Sequence, residues 1–129
     1  MLFRSSLEEF GDILDIILRC PTRPRGGSVV LTESGAFKAL ALDLCDALDL
    51  ALPPMESVTA ERMRAAIPAF IGISNPMDLT AQSLVDPDLY RRTLEPLLGD
   101  PTYGSIILGI IQTDEATSRL KFEIGRAHV

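Results

Sequence analysis

A chain of 129 residues, 47% hydrophobic and 23% charged, has the length and composition of one soluble globular domain, which can bury about two-thirds of its unfolded surface. Its net charge of −6 argues against nucleic-acid and anionic-membrane surfaces, which need concentrated Lys and Arg. The longest apolar runs, such as Ile106–Ile111, are too short to span a bilayer, Cys20 and Cys45 make neither a disulfide framework nor a zinc site, and Met1-Leu2-Phe3-Arg4 lacks the layout of a signal peptide, so the expected compartment is the cytoplasm.

In chain order, Ser6-Leu7-Glu8-Glu9 fits a capping box with Ser6 as N-cap. Phe10, Ile13, Leu14, Ile17 and Leu18 then recur at helical spacing and give one apolar face. Pro21 stops that helix, and Pro21–Gly27 reads as a linker, so residues 1–27 are expected to trail an upstream domain. Ser28–Thr32 is an apolar run that reads as a buried parallel strand feeding directly into a helix. Phe37, Leu40, Ala41, Leu44 and Leu48 form the stripe of that helix. Leu50–Leu52 is expected to be a short strand before Pro53-Pro54, and Thr59 the cap of a short helix carrying Met63 and Ile67. Phe70–Ile73 leads into Ser74–Thr80, a stretch with turn chemistry. Asp86-Pro87 has the form of a helix start, with Asp at the cap and Pro at the first position. Leu89–Leu98 continues that helix, with Pro96 expected to kink or loosen it before Gly99 and Pro101 end it. Ser105–Ile111 reads as a further apolar strand, followed by a helix capped by Thr113 or Asp114.

Strands alternating with helices, and apolar on both faces, predict a three-layer α/β fold with a mostly parallel sheet, doubly wound and flavodoxin-like. The domain is expected over residues 28–122 and to be incomplete. Glu123–Val129 looks like a sequencing adapter read through as coding sequence, a non-native tail holding the one histidine, His128. It carries one acid and one base, so the net charge without it is unchanged.

The candidate site is the turn Thr32-Glu33-Ser34-Gly35-Ala36. A strand ending at a helix N-terminus aims unpaired N–H groups and the positive end of the helix dipole at one point, and this favours phosphate or carboxylate. In open α/β sheets ligands sit at that edge. Thr32, Ser34, Gly35 and Ala36 are therefore the candidate phosphate-binding residues, while the bland alternative is that Ser34 only caps the helix. The turn is not a Walker loop, and Lys38 lies a turn inside the helix. Ser34 between small residues resembles a nucleophile elbow, but the one histidine that would serve it lies in the suspect tail. Asp78 weighs as a turn former against an acid/base group. Asp43 and Asp46 read as a solvated face and Cys45 as an apolar filler. No metal-ligand constellation is present, and no catalytic residue is assigned.

The strand–Thr-Glu-Ser-Gly turn at 29–35, the loop Asn75-Pro76-Met77-Asp78-Leu79-Thr80, Asp86-Pro87 at a helix start and the strand leading to Gln112 together resemble the NDP-forming acyl-CoA ligases. These are the relatives of ADP-forming acetate–CoA ligase and of the succinyl-CoA synthetase α-chain, and the resemblance covers residues 5 to 122. It implies a parent enzyme joining a CoA-binding Rossmann domain, flavodoxin-like ligase domains and an ATP-grasp domain or subunit. Such enzymes use CoA, ATP and Mg²⁺ to turn an acid into its acyl-CoA through a phosphohistidine. It implies too that Thr32–Gly35 faces the phosphoryl group or phosphohistidine loop, with Asn75, Asp78, Thr80 and Gln112 as a second site loop at the same edge. Ala36 departs from the second glycine usual in relatives, and the phosphorylated histidine, the Rossmann glycine loop and the ATP-grasp residues are missing. The piece alone is expected to be inactive. The rival from another class is a stand-alone anion-binding or interaction module without catalysis.

Overall fold

A computed structural model describes residues 6–20, 22–112 and 114–126. Helix α1 (Leu7–Arg19) opens with the expected capping box: the Glu9 N–H donates to Ser6 Oγ and the Ser6 N–H to Glu9 Oε2, each at 3.2 Å. The box needs only four consecutive residues, so it forms without tertiary help. The stripe Phe10, Ile13, Leu14 and Ile17 also forms, yet no residue of α1 is buried.

Strand β1 (Gly27–Thr32) begins at the second glycine of the linker. Gly26 holds φ +107°, and a Cβ there would come within 2.8 Å of the Thr102 carbonyl, so the chain can pass this close only as glycine. Strand β2 (Met77–Asp78) and strand β3 (Tyr103–Gly109) flank β1, all parallel, in the order β2-β1-β3. The parallel α/β expectation is met, and the order is flavodoxin-like.

Side chains alternate across a strand, and both faces of β1 are buried. Val29 and Leu31 enter a core with Met63, Ile67, Met77, Leu79, Leu89, Tyr90, Leu94 and Leu97. Helix α3 (Ser57–Ala66) and helix α5 (Asp88–Leu98) supply most of that layer. The opposite face is overlaid by helix α2 (Gly35–Ala47). Gly109 is the register partner of Thr32, on the face away from Leu31 and Leu108, and a Cβ on it would meet the Phe37 ring at 2.7 Å. No residue of α2 is buried, so this layer is more open than the core layer.

Several expected boundaries move. Leu50–Leu52 forms no strand. Thr59 lies buried inside α3, whose N-cap is Glu56; the Glu56 N–H is taken by the Asp100 carboxylate at 3.0 Å. Asp86 ends a short helix α4 (Gln82–Val85), and Pro87, not Asp86, is the N-cap of α5, because the Asp86 carboxylate pairs with Arg92. Pro96 is buried within α5, which continues to Leu98. Strand β3 starts two residues early, with the Tyr103 hydroxyl donating to the Pro53 carbonyl at 3.0 Å. It also stops before Ile110. Helix α6 (Glu115–Arg126) follows Asp114, whose carbonyl accepts the Ser118 N–H at 3.0 Å. It runs on through Glu123–Arg126; Thr113 and residues 127–129 lie outside the described residues. Among the described residues no helix is long and apolar enough to cross a membrane.

Candidate functional site

The carboxyl ends of β1, β2 and β3 lie at one edge, where Thr32, Asp78 and Gly109 end their strands. The Thr32 carbonyl accepts the Leu79 N–H at 2.7 Å and its Oγ1 accepts the Ser34 N–H at 3.2 Å, so the turn out of β1 is tied to the segment after β2. Helix α2 then starts, with the Lys38 N–H on the Ser34 carbonyl at 2.9 Å. Ser34 is at the N-cap position, but its side chain makes no cap hydrogen bond. The first-turn amides of Gly35, Ala36 and Phe37 have no intrahelical acceptor by the geometry of a helix start, and Gly35 and Ala36 are exposed. Ser34, Gly35 and Ala36 thus stand at the start of α2, whereas Thr32 is fully buried with its Oγ1 engaged by the Ser34 N–H.

The second predicted group divides. Asp78 reaches the same place: its Oδ1 accepts the Thr80 N–H at 2.8 Å, and its Oδ2 would be 3.3 Å from a Cβ on Gly35. A carboxylate thus stands at the mouth of α2. Thr80, at φ 59°, turns its groups inward, its Oγ1 accepting the Gln82 N–H and its carbonyl the Ser83 hydroxyl. Asn75 is not at the edge. Its Oδ1 accepts the Val30 N–H at 3.1 Å, and its Nδ2 donates to the Ser28 and Pro53 carbonyls at 2.8 and 2.9 Å. The side chain extends the sheet ladder beside β1 where β2 has not yet begun. Gln112 is exposed, three residues beyond the end of β3. Lys38 is held away from the turn, its ammonium donating to Ser74 Oγ at 2.9 Å.

Sequence reasoning missed the charged pair beneath the edge. Glu33 Oε1 accepts from Lys121 Nζ at 2.6 Å with both side chains fully buried, and Glu33 Oε2 accepts the Ile111 N–H at 2.5 Å. That last bond explains why β3 leaves the ladder before Ile111. Burial alone would raise the Glu33 pKa, but the bonds from Lys121 and Ile111, with Ser83 and Tyr90 nearby, outweigh it and hold the carboxyl below its ordinary value. Although Glu33 and Ser83 lie beside it, the buried Tyr90 hydroxyl makes no hydrogen bond of good geometry among the described residues. Burial first, then the Glu33 charge, pushes its pKa far above the ordinary phenol value. No signal local to Lys121 marks it, since a helical lysine normally reads as solvated.

The edge can thus offer amide N–H groups and the Ser34 hydroxyl to an anion, opposed by Asp78. Among the described residues no group of histidine, cysteine or acidic side chains could hold a metal ion.

No protein-family model matches the chain. It is 40% identical over 122 residues to a trans-feruloyl-CoA synthase of an unknown prokaryotic organism, covering 95% of this chain and 17% of that protein. It is 32% identical over 85 residues to the α subunit of ADP-forming acetate–CoA ligase II of Pyrococcus furiosus, covering 65% of this chain and 18% of that subunit. Among solved structures, the dinucleotide-forming acetyl-coenzyme A synthetase 1 of Ca. Korarchaeum cryptofilum, in complex with phosphate and ADP, matches with TM-score 0.66 at 18% identity, over 83% of this chain and 24% of that one. The chain spans less than a fifth of the length of these curated relatives. The resemblance to the NDP-forming acyl-CoA ligases is borne out by these relatives, and the flavodoxin-like α/β fold by the structural match.

Proposed function

We propose that this chain, whose relatives are ADP-forming acyl-CoA ligases, serves as a flavodoxin-like ligase module of such an enzyme and presents the N-terminus of α2 to a phosphoryl group. The parent reaction would convert an acid, CoA and ATP into acyl-CoA, ADP and phosphate. The observation that carries the proposal is the start of α2 at the carboxyl edge of the sheet, where the Ser34 side chain makes no cap hydrogen bond. Amide donors fixed by the fold need no reorganisation when charge arrives. The phosphohistidine, the ATP-grasp domain or subunit, and CoA would come from elsewhere in the assembly, in the cytoplasm. Among the described residues no group of three or more histidine, cysteine or acidic side chains could hold a metal ion, so magnesium would come with the nucleotide.

Electrostatics set the expected affinity. A helix terminus contributes about 0.3–1 kcal/mol at an exposed site, and each charge-assisted hydrogen bond about 1.5–3 kcal/mol. Ordering the anion and the Asp78 carboxylate beside Gly35 oppose this. Binding near −4 kcal/mol, a Kd of about 1 mM, is the expected outcome. Phosphate titrated into the protein should shift the amide resonances of residues 34–37. Asp78→Asn should tighten binding, and Gly35→Asp, which adds a second carboxylate, should abolish it. The proposal is refuted if tens of millimolar phosphate moves none of these resonances, or if Gly35→Asp binds as well as the unaltered chain.

A further inference from the structure

Helix α6 lies beside α5 and also carries a buried charge to the end of β1. Among its residues whose burial is described, Lys121 alone is buried, while its neighbour Leu120 stays exposed. Its ammonium donates to Glu33 Oε1 at 2.6 Å and to the Ile111 carbonyl at 3.3 Å, and the other Glu33 oxygen accepts the Ile111 N–H at 2.5 Å. Acid, base and both backbone groups of Ile111 close one ring. Removing two charges from water is costly unless geometry and hydrogen bonding compensate fully. Here both carboxylate oxygens are engaged. Apolar side chains at both positions 33 and 121 would pack without that cost, so the pair does more than fill space.

Its placement says what. Glu33 immediately precedes the N-cap of α2, Ile111 lies just beyond β3, and Lys121 is on α6. We infer that Glu33 and Lys121 form a buried latch that couples the docking of α6 to the turn between β1 and α2, so that the start of α2 and the loop after β3 hold one shape only while α6 is seated. Ile111 gives the latch a polarity. Its N–H requires an acceptor and its carbonyl a donor, so the acid must come from residue 33 and the base from residue 121. Charge pairing alone has no such direction.

The test uses the full chain and amide hydrogen exchange resolved by residue. Lys121→Met strands the Glu33 carboxylate, and exchange at Ile111 should accelerate by about a hundredfold or more. Resonances of Ser34–Ala36 should shift, although residues 33 and 121 are 88 positions apart in sequence. The double variant Glu33→Gln/Lys121→Met should lose less protection than Lys121→Met, because no uncompensated charge remains. The exchanged pair Glu33→Lys/Lys121→Glu restores opposite charges but sets an ammonium against the Ile111 N–H and a carboxylate against its carbonyl, so it should not recover protection. If Lys121→Met does not fold, the near-isosteric Glu33→Gln is read in the same way, since it replaces one acceptor of the ring with a donor. Unchanged exchange at Ile111, an unmoved 34–36 segment, or full rescue by the exchanged pair would each overturn the latch. None of these readouts uses phosphate, so the latch and the phosphoryl proposal stand or fall separately.

Discussion

Asn75→Ala is the substitution whose cost can be worked most directly from the structure. One side chain satisfies three backbone groups: the Val30 N–H at 3.1 Å, the Ser28 carbonyl at 2.8 Å and the Pro53 carbonyl at 2.9 Å. Val30 is buried in the middle of the central strand, so losing its acceptor strands a donor that water does not readily reach, at about 1–3 kcal/mol. The two carbonyls lose net hydrogen bonds of about 0.5–1.5 kcal/mol each. The sum centres on about 4 kcal/mol. For a domain of this size that is a fall in Tm of roughly 12–20 °C. Asn75→Asp keeps the acceptor for Val30 but turns a second oxygen on two carbonyls, and should cost at least as much at neutral pH. Urea unfolding measures both, with a lower midpoint at unchanged slope as the expected signature. A loss below about 1 kcal/mol for Asn75→Ala would refute the view that this residue completes the sheet ladder.

Two further outcomes follow from the buried polar groups. Tyr90→Phe removes a buried hydroxyl that makes no hydrogen bond of good geometry among the described residues and should be neutral or stabilising by up to about 1 kcal/mol in urea unfolding; a loss of more than about 1 kcal/mol would show that the hydroxyl is satisfied, by Glu33 or Ser83 beside it. Glu33 and Asp100 are held below their ordinary carboxyl range, in each case because hydrogen bonds outweigh the opposing effect of burial. Their contribution is therefore full above the unfolded pKa values near 4 and is lost as pH falls through the lower folded values. The urea midpoint should be flat above about pH 6 and fall below about pH 4. Glu33→Gln should flatten that acid limb, and an unaltered limb would count against the carboxylate's role.

What the chain discloses about its fold follows the range of the interactions involved. The capping box at Ser6–Glu9 and the passage from Thr32 into α2 are written in neighbouring residues, and both form where they are read. Boundaries set by distant partners are displaced. Asp86 has the right chemistry for a cap, yet Arg92 takes its carboxylate. Glu56 starts α3 because Asp100, 44 residues on, accepts its N–H. Strand β2 has only two residues and no alternation to detect; its pairing depends on β1 lying alongside. The apolar stripe of α1 shows the converse limit, since periodicity states which face is apolar and not what covers it.

Polar residues at the site carry the same ambiguity, and resolving it changes the electrostatic picture of α2. Asn75 lies in a loop of turn residues and resembles a ligand-facing side chain, but its three partners are all backbone groups of this chain. Glu33 in sequence is an acid inside an anion-binding turn and counts against the site. Folded, its charge is met by Lys121, below the surface. Asp78 in sequence is a turn former, and it does form the turn to Thr80, but its second oxygen is left beside Gly35. The opposing charge at the helix mouth is thus Asp78 and not Glu33. Asp78→Asn is therefore the substitution expected to strengthen phosphate binding. Glu33→Gln removes a charge that is already balanced, so it should act through the seating of α6 rather than through direct repulsion of the anion.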